Sequence, residues 1–309
     1  MLKIYYKNLK MPELEERQRF EAGSLIEAVN PSSEEVKRLH NELRIEPRML
    51  DDAMDITEAP RLEVSHDINY VFVRSPIEDE DGMISTTPVM IAISETFVLV
   101  ASRAKLAWIN ELANAQEELT TTQKTRMALQ ILQRSNSEYS RVLQGINRKI
   151  NELSFRARKE SIDNKEIMSF ISFEETLNEF MNSLIPQNTV FHKLLEGGSL
   201  DLYNEDKGLI EALILGSQEI IDLSKASLKT SMNIRDAYST VLTNSLNRVI
   251  KFFTSLTIIL TVAVIVPSFY GMNVKLPLQE NPSAFWIIGG ATAIISFLLI
   301  WVFNKKKWL

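Results

Sequence analysis

The chain has no cysteine. Disulfides and thiolate metal sites are therefore excluded, which fits a cytosolic setting for its charged part. Histidine is scarce too: His40, His66 and His192 stand alone and read as structural residues rather than ligands. There is no glycine-rich nucleotide loop and no nucleophile constellation, so no enzyme activity is expected. The start, Met1-Leu2-Lys3-Ile4-Tyr5-Tyr6, lacks the basic-then-apolar pattern and small-residue cleavage site of a signal peptide. The N-terminal part is then expected to stay on the side where it is made. Net charge is −6, which argues against nucleic acid as a partner.

Two stretches lack charge altogether: residues 252–270 and residues 284–303. Each is long enough to cross roughly 30 Å of hydrocarbon at 1.5 Å per residue. Core helices of soluble proteins rarely run this long without a charge, so both read as spans of a lipid bilayer. Trp286 and Trp301 lie near the two ends of the second run, where interfacial aromatics sit. Arg248 and Lys251 precede the first run, and Lys305, Lys306 and Lys307 follow the second. The loop between them carries Lys275 against Glu280. By the positive-inside rule both termini are cytoplasmic and the loop is outside, giving a multi-pass protein of the cell (plasma) membrane. The tail ending Trp308-Leu309 is expected to carry no further domain.

The rest divides by composition. Residues 1–101 read as the α/β part of a cytoplasmic domain. Leu25 to Val29 and Tyr70 to Arg74 are short β-prone runs. Val89 to Ile93 and Phe97 to Ala101, split by Ser94-Glu95-Thr96, read as a hairpin. Ser32 and Glu35 form a candidate capping box at a helix start. Glu78 to Gly82 is an acidic turn whose ligand spacing is wrong for a calcium loop.

Residues 102–201 read as helical. Ile131, Ser135, Tyr139, Val142, Ile146, Ile150 and Leu153 make one stripe at three- and four-residue steps. Asp163 with Glu166 suggests a second capping box, and Gly197-Gly198 a helix end. Residues 202–270 contain no proline before Pro267 and read as one helix of roughly 100 Å running into the membrane. Residues 271–283 form the outer loop, 284–303 the second span and 304–309 a basic cytoplasmic tail. The expected fold is an α+β cytoplasmic domain, a long stalk helix and a two-helix transmembrane hairpin.

Asn247, Ile250, Thr254, Thr257, Thr261, Val264 and Ser268 follow a 3-4-3-4 spacing. Nearly every polar side chain of the first span falls on this stripe, Ser255 excepted. Polar groups turn away from acyl chains, so the stripe lines a pore or lets helices pack closely. Two spans enclose no pathway, so a channel requires several copies, most simply a symmetric ring around the long helices. No carboxylate lies on this face. Magnesium gives up its water reluctantly, so an ion on this path stays at least partly hydrated among neutral oxygens. Ile250 and Val264 are candidate constrictions that close by dewetting.

At Tyr270-Gly271-Met272-Asn273, set between the two spans, the chain resembles the CorA magnesium-transporter family. The resemblance covers essentially the whole chain. It includes Asn30-Pro31-Ser32-Ser33-Glu34-Glu35, Leu50-Asp51-Asp52-Ala53, and Ala59-Pro60-Arg61-Leu62-Glu63 as a segment before a strand. It continues through Asp236-Ala237-Tyr238, Asn244 to Asn247 and the tail Lys305-Lys306-Lys307-Trp308-Leu309.

The resemblance implies a funnel-shaped homopentamer that passes magnesium, and also cobalt or nickel, into the cytosol. It implies a selectivity filter at Gly271, Met272 and Asn273, with five copies of Gly271 and Asn273 holding the hydrated ion. Its pore-facing positions fall on Val264, Thr261, Phe253, Ile250 and Asn247, with Phe253 where the stripe itself selects Thr254. It also implies closure by cytosolic magnesium bridging acidic residues. The candidates here are Glu205, Asp206 and Glu211, which read more readily as ordinary solvated helix faces.

Two departures stand out. The acidic loop of many relatives is Val274-Lys275-Leu276-Pro277-Leu278-Gln279-Glu280 here, with Glu280 alone acidic. Pro267 stands one turn before the motif, where it is placed to kink the helix. Two rival readings follow: a transporter of the same fold for another divalent ion such as zinc, and a membrane-anchored sensor that transports nothing.

Overall fold

Near-continuous apolar runs between residues 68 and 102 demand a sheet covered on both faces. The computed structural model describes residues 1–8, 11, 14–79, 82–109, 121–159, 164–197, 200, 202–278 and 280–308. Its strands are β1 (Leu2–Tyr6), β2 (Glu15–Arg17), β3 (Ser24–Val29), β4 (Arg61–Ser65), β5 (Ile68–Glu78), β6 (Ile84–Ile93) and β7 (Phe97–Ser102). They form one mixed sheet in the order β2-β1-β3-β7-β6-β5-β4. β3 and β7 run parallel with Leu25 opposite Val98, and the other neighbours are antiparallel. The expected hairpin is β6–β7, with Ile93 opposite Val98 and the Ser94 amide donating to the Phe97 carbonyl at 3.0 Å.

Helices cover both faces. On one, Ile26, Tyr70, Phe72, Met90 and Leu99 pack with Leu39, Met49 and Leu50 from α1 (Ser33–Leu43) and α2 (Pro47–Met54). The capping box holds: the Ser32 hydroxyl accepts from the Glu35 amide at 3.3 Å, and the Glu35 carboxylate accepts from the Ser32 amide at 2.8 Å. Leu50-Asp51-Asp52-Ala53 lies inside α2. The segment expected to precede a strand is partly the strand itself, since β4 begins at Arg61.

On the other face, Val71, Val89, Ile91, Val98 and Val100 meet Met127, Leu132, Phe191, Ile210 and Leu213 from three long helices. These are α3 (Lys124–Lys159), α4 (Asn164–Glu196) and the start of α5 (Asn204–Tyr270). The α3 stripe from Ile131 to Leu153 is buried apart from Val142, which is partly covered. Tyr139 meets Phe180 of α4 edge to face at 4.8 Å. The buried line of α5 in this region is Ile210, Leu213, Ser217, Ile220, Ser224, Ser227 and Ser231, again at 3-4 steps. α4 ends at Gly197, whose φ of +81° suits glycine. Asp163, Gly198, Glu80 and Asp81 of the expected caps and acidic turn lie outside the described residues.

A polar chain ties sheet to helices. The Glu179 carboxylate accepts from the Thr86 amide at 2.6 Å and the Thr86 hydroxyl at 2.8 Å. Gln187 accepts from the Arg74 amide at 3.1 Å and donates to Asn136 at 3.3 Å, and Asn136 donates to the Leu213 carbonyl at 3.2 Å. β5, α4, α3 and α5 are thereby joined through buried groups that would cost free energy if left unpaired.

The chain divides into two units, Met1–Ile234 and Arg235–Leu309. The second holds the rest of α5, a loop and α6 (Ala284–Lys305). α5 and α6 are both long and apolar enough to cross a membrane.

Candidate functional site

In the second unit the site starts from which way the first span faces. Ser255 is fully covered, and Ile259, Val262 and Val266 are partly covered. On α6 the covered positions are Ala284, Ile288, Thr292, Ser296, Leu299, Val302 and Phe303. Each set recurs every three or four residues, so each marks the face one helix of the hairpin turns to the other. The stripe from Asn247 to Ser268 is exposed throughout. At 100° per residue its centre lies about 140° around the helix from the Ser255 face. The hydroxyl stripe is therefore free of α6. Ser255, the one polar residue off the stripe, belongs to the covered face, where its hydroxyl donates to the Phe252 carbonyl at 2.8 Å.

Thr254 and Phe253 both lie on the exposed side, about 30° and 70° from the stripe's centre. Of the bulky candidates Ile250, Phe253 and Val264, the last two are the more exposed, at 59% and 65%. Thr261 donates to the Thr257 carbonyl at 2.7 Å. That bond satisfies the hydroxyl hydrogen without water and leaves the oxygen's lone pairs facing outward. Pro267 has no amide to donate to the Ala263 carbonyl, so the helix hydrogen-bond ladder is interrupted just before its end.

The helix stops at the tripeptide. The Gly271 amide donates to the carbonyls of Pro267 and Ser268, both at 3.2 Å, and the Met272 amide to Phe269 at 3.2 Å. A side chain at Gly271 would begin 3.4 Å from the Ser268 carbonyl, about van der Waals contact, so the local backbone does not by itself demand glycine here. The Tyr270 hydroxyl donates to the Pro277 carbonyl at 3.1 Å and closes the loop behind the motif. Gly271, Met272 and Asn273 are exposed. Among the described residues nothing donates to their carbonyls, and nothing pairs with the Asn273 amide. Neutral oxygens are thus left open at the end of the polar stripe. Such donors suit the outer water shell of a cation better than its inner shell. Lys275 and Glu280 are both exposed, and among the described residues neither forms an ion pair.

The remaining candidates lie in the first unit. Asp206 is buried, and its carboxylate accepts from the Tyr203 amide at 3.1 Å. It sits three residues after Tyr203 and reaches back to cap the start of α5. Glu205 is exposed and pairs with Arg126 at 3.3 Å. Both line a cleft of about 1170 Å³ that also holds Asp67, Glu95, Lys124 and Arg126, so its charge is mixed. Glu211 is exposed on α5. Among the described residues no three acidic or histidine side chains come close enough to hold a metal ion.

The profile of the CorA-like Mg2+ transporter protein family matches residues 24–306. The chain belongs to the CorA-like Mg2+ transporter family. This is a family of transporters, not enzymes. The cobalt/magnesium transport protein CorA of Methanocaldococcus jannaschii is 26% identical over 294 residues, spanning 92% of this chain and 90% of that one. A magnesium transport protein CorA of Campylobacter jejuni is 28% identical over 158 residues, 49% of this chain and 46% of its own. The complete structure of the M. jannaschii CorA magnesium transporter superposes with a TM-score of 0.87 at 22% identity, covering 100% of this chain and 99% of that chain. The full-length CmaX protein superposes with a TM-score of 0.71 at 14% identity, covering 99% and 97%. The CorA fold, with its mixed-sheet domain, long helix and terminal apolar helix, is therefore present here from end to end.

Within this CorA frame the stripe and the tripeptide were read from the sequence as candidates, and two features of the structure were not read at all. The Ser255-Ile259-Val262-Val266 face was legible only as Ser255's departure from the stripe. The capping role of Asp206 was available as its spacing from Tyr203, three residues before a helical run.

Proposed function

We propose that this chain is a channel for hydrated Mg2+, also open to Co2+ or Ni2+, that admits the ion to the cytosol. The observation that carries this reading is the uncharged oxygen-lined path. A hydroxyl stripe turned away from α6 leads to the unpaired oxygens of Gly271, Met272 and Asn273 at the hinge between two membrane-length helices. Both termini lie in the cytosol and the tripeptide faces outside the plasma membrane. Five copies form a symmetric ring with the stripe on its axis, since one hairpin encloses no path.

The parts then have distinct roles. Residues 1–101 and 102–201 form the cytoplasmic domain, 202–270 the stalk and pore helix, 271–283 the outer mouth, 284–303 the outer helix and 304–309 the basic tail. Asn273 and the Gly271 carbonyl hold the ion through its water. Asn247, Thr254, Thr257, Thr261 and Ser268 offer oxygens to the ion's bound water along the axis in place of bulk solvent. Ile250, Phe253 and Val264 are narrow apolar rings that close by dewetting. The membrane potential draws a divalent ion inward with about 4.6 kcal/mol per 100 mV, twice the value for one charge. Glu280 adds weak cation attraction at the mouth, opposed by Lys275.

Cytosolic Mg2+ closes the channel by bridging subunits. A bridge between subunits uses carboxylates that one subunit leaves exposed. Glu211 and Glu205 meet that condition; Asp206, buried as a cap, does not.

The altered outer loop motivates a second reading, the same architecture carrying another divalent ion such as Zn2+. Purified protein in liposomes, loaded with a Mg2+ indicator and challenged with Co2+, Ni2+ and Zn2+, separates the two. Mg2+ influx that Co2+ or Ni2+ competes for supports the proposal. Zn2+ influx without Mg2+ influx supports the second reading, and no flux of any ion supports a sensor.

A further inference from the structure

We propose that the outer face of α6 binds a phospholipid with an anionic headgroup, an acyl chain lying in an apolar groove and the headgroup held at Lys305. The groove has a volume of about 630 Å³ and is lined by Ala293, Ile294, Phe297, Leu298 and Trp301. At 100° per residue its centre lies about 170° from the α6 face turned to the first span. With the Asn247–Ser268 stripe on the axis, α6 stands outside the first span and this groove faces the lipid. The inference rests on that axial reading.

Charge at the foot of the groove selects the occupant. Lys305 lies one turn beyond Trp301 on the same face, its Nζ 5.2 Å from the centre of the indole ring. The cation is thus held by a π face on the line of the groove. The chain then turns at Lys307, with φ +55°, and the Trp308 amide donates to the Phe303 carbonyl at 2.9 Å. Trp308 stacks on Phe303 with ring centres 5.6 Å apart and planes 7° from parallel. This return keeps Lys305, Lys306 and Lys307 at one level, where the helix leaves the hydrocarbon. No Asp or Glu occurs between Asn281 and Trp308, and among the described residues none of the three lysines forms an ion pair. The groove is about 12 Å long, from Ala293 to Trp301, which fits within one leaflet of a 30 Å core. An anionic lipid of the cytoplasmic leaflet matches both ends at once: apolar tail above, negative head at the lysines. A second copy of α6 would bring the same lysines against each other.

The test is lipid retention by the full-length protein in native mass spectrometry, with equal amounts of phosphatidylglycerol and phosphatidylcholine. The expected result is about fivefold preference for phosphatidylglycerol, the worth of one lysine at an anionic surface. Lys305→Gln should bring retention down to the phosphatidylcholine level, while Lys275→Gln in the outer loop leaves it unchanged. Equal retention of both lipids by the wild type overturns the proposal. So does undiminished retention by Lys305→Gln, and so does high-yield disulfide linking of copies through Phe297→Cys. Mg2+ influx into phosphatidylcholine liposomes is read separately. Influx without lipid preference removes the lipid site alone; lipid preference without influx removes the channel reading alone.

Discussion

The Tyr270 hydroxyl donates to the Pro277 carbonyl at 3.1 Å, clamping the loop whose first residues are Gly271, Met272 and Asn273. One hydrogen bond of this kind contributes about 1 kcal/mol. Tyr270→Phe keeps the ring and removes the bond. The expected outcome is a several-fold loss of discrimination between Mg2+ and competing ions, with assembly intact. Influx measured with paired ions in liposomes checks it.

The absence of cysteine makes single thiols unambiguous probes. Thr261→Cys lies on the exposed stripe and Val262→Cys on the partly covered face. A water-soluble thiol reagent should block influx through Thr261→Cys and leave Val262→Cys conducting. The reverse pattern would put α6, rather than the axis, against Thr261.

Arg74 fixes the sheet to the loop after α2. Its guanidinium donates to the carbonyls of Ile56, Glu58 and Thr86 at 2.9, 2.8 and 2.9 Å. Arg74→Met strands these acceptors in a partly buried site. The expected cost is about 2–4 kcal/mol, read as a lowered thermal midpoint.

Asp206 and Glu211 should separate capping from regulation. Asp206→Ala removes the cap of α5 and should cost about 1 kcal/mol of stability. Glu211→Ala should leave stability alone and raise the internal Mg2+ needed to close the channel by about fivefold or more. Thermal unfolding and influx at graded internal Mg2+ read the two effects.

Much of this architecture could be read from local signals. The β6–β7 hairpin showed as two apolar runs around Ser94-Glu95-Thr96, the capping box as Ser32 and Glu35, and α3 as the Ile131–Leu153 stripe. Edge strands gave no such signal. β2 is Glu-Glu-Arg, exposed throughout, and β4 is charged at Arg61 and Glu63. Their strand character comes from neighbours far along the chain, as does the parallel register of β3 with β7. Propensity cannot carry information of that range. At the site, the stripe was legible because hydroxyls are conspicuous among Ile, Leu and Val. The face toward α6 was not, because it is made of the same aliphatic residues as the lipid-facing side. The tripeptide was legible as a motif, but its free oxygens depend on how the helix ends.

Mg2+ influx into liposomes bearing the wild type, beside Asn273→Ala, tests the central claim most directly. The wild type should conduct and Asn273→Ala should lose most of its influx, while both keep the same assembled mass. Equal influx through both would contradict a hydrated ion held at Asn273.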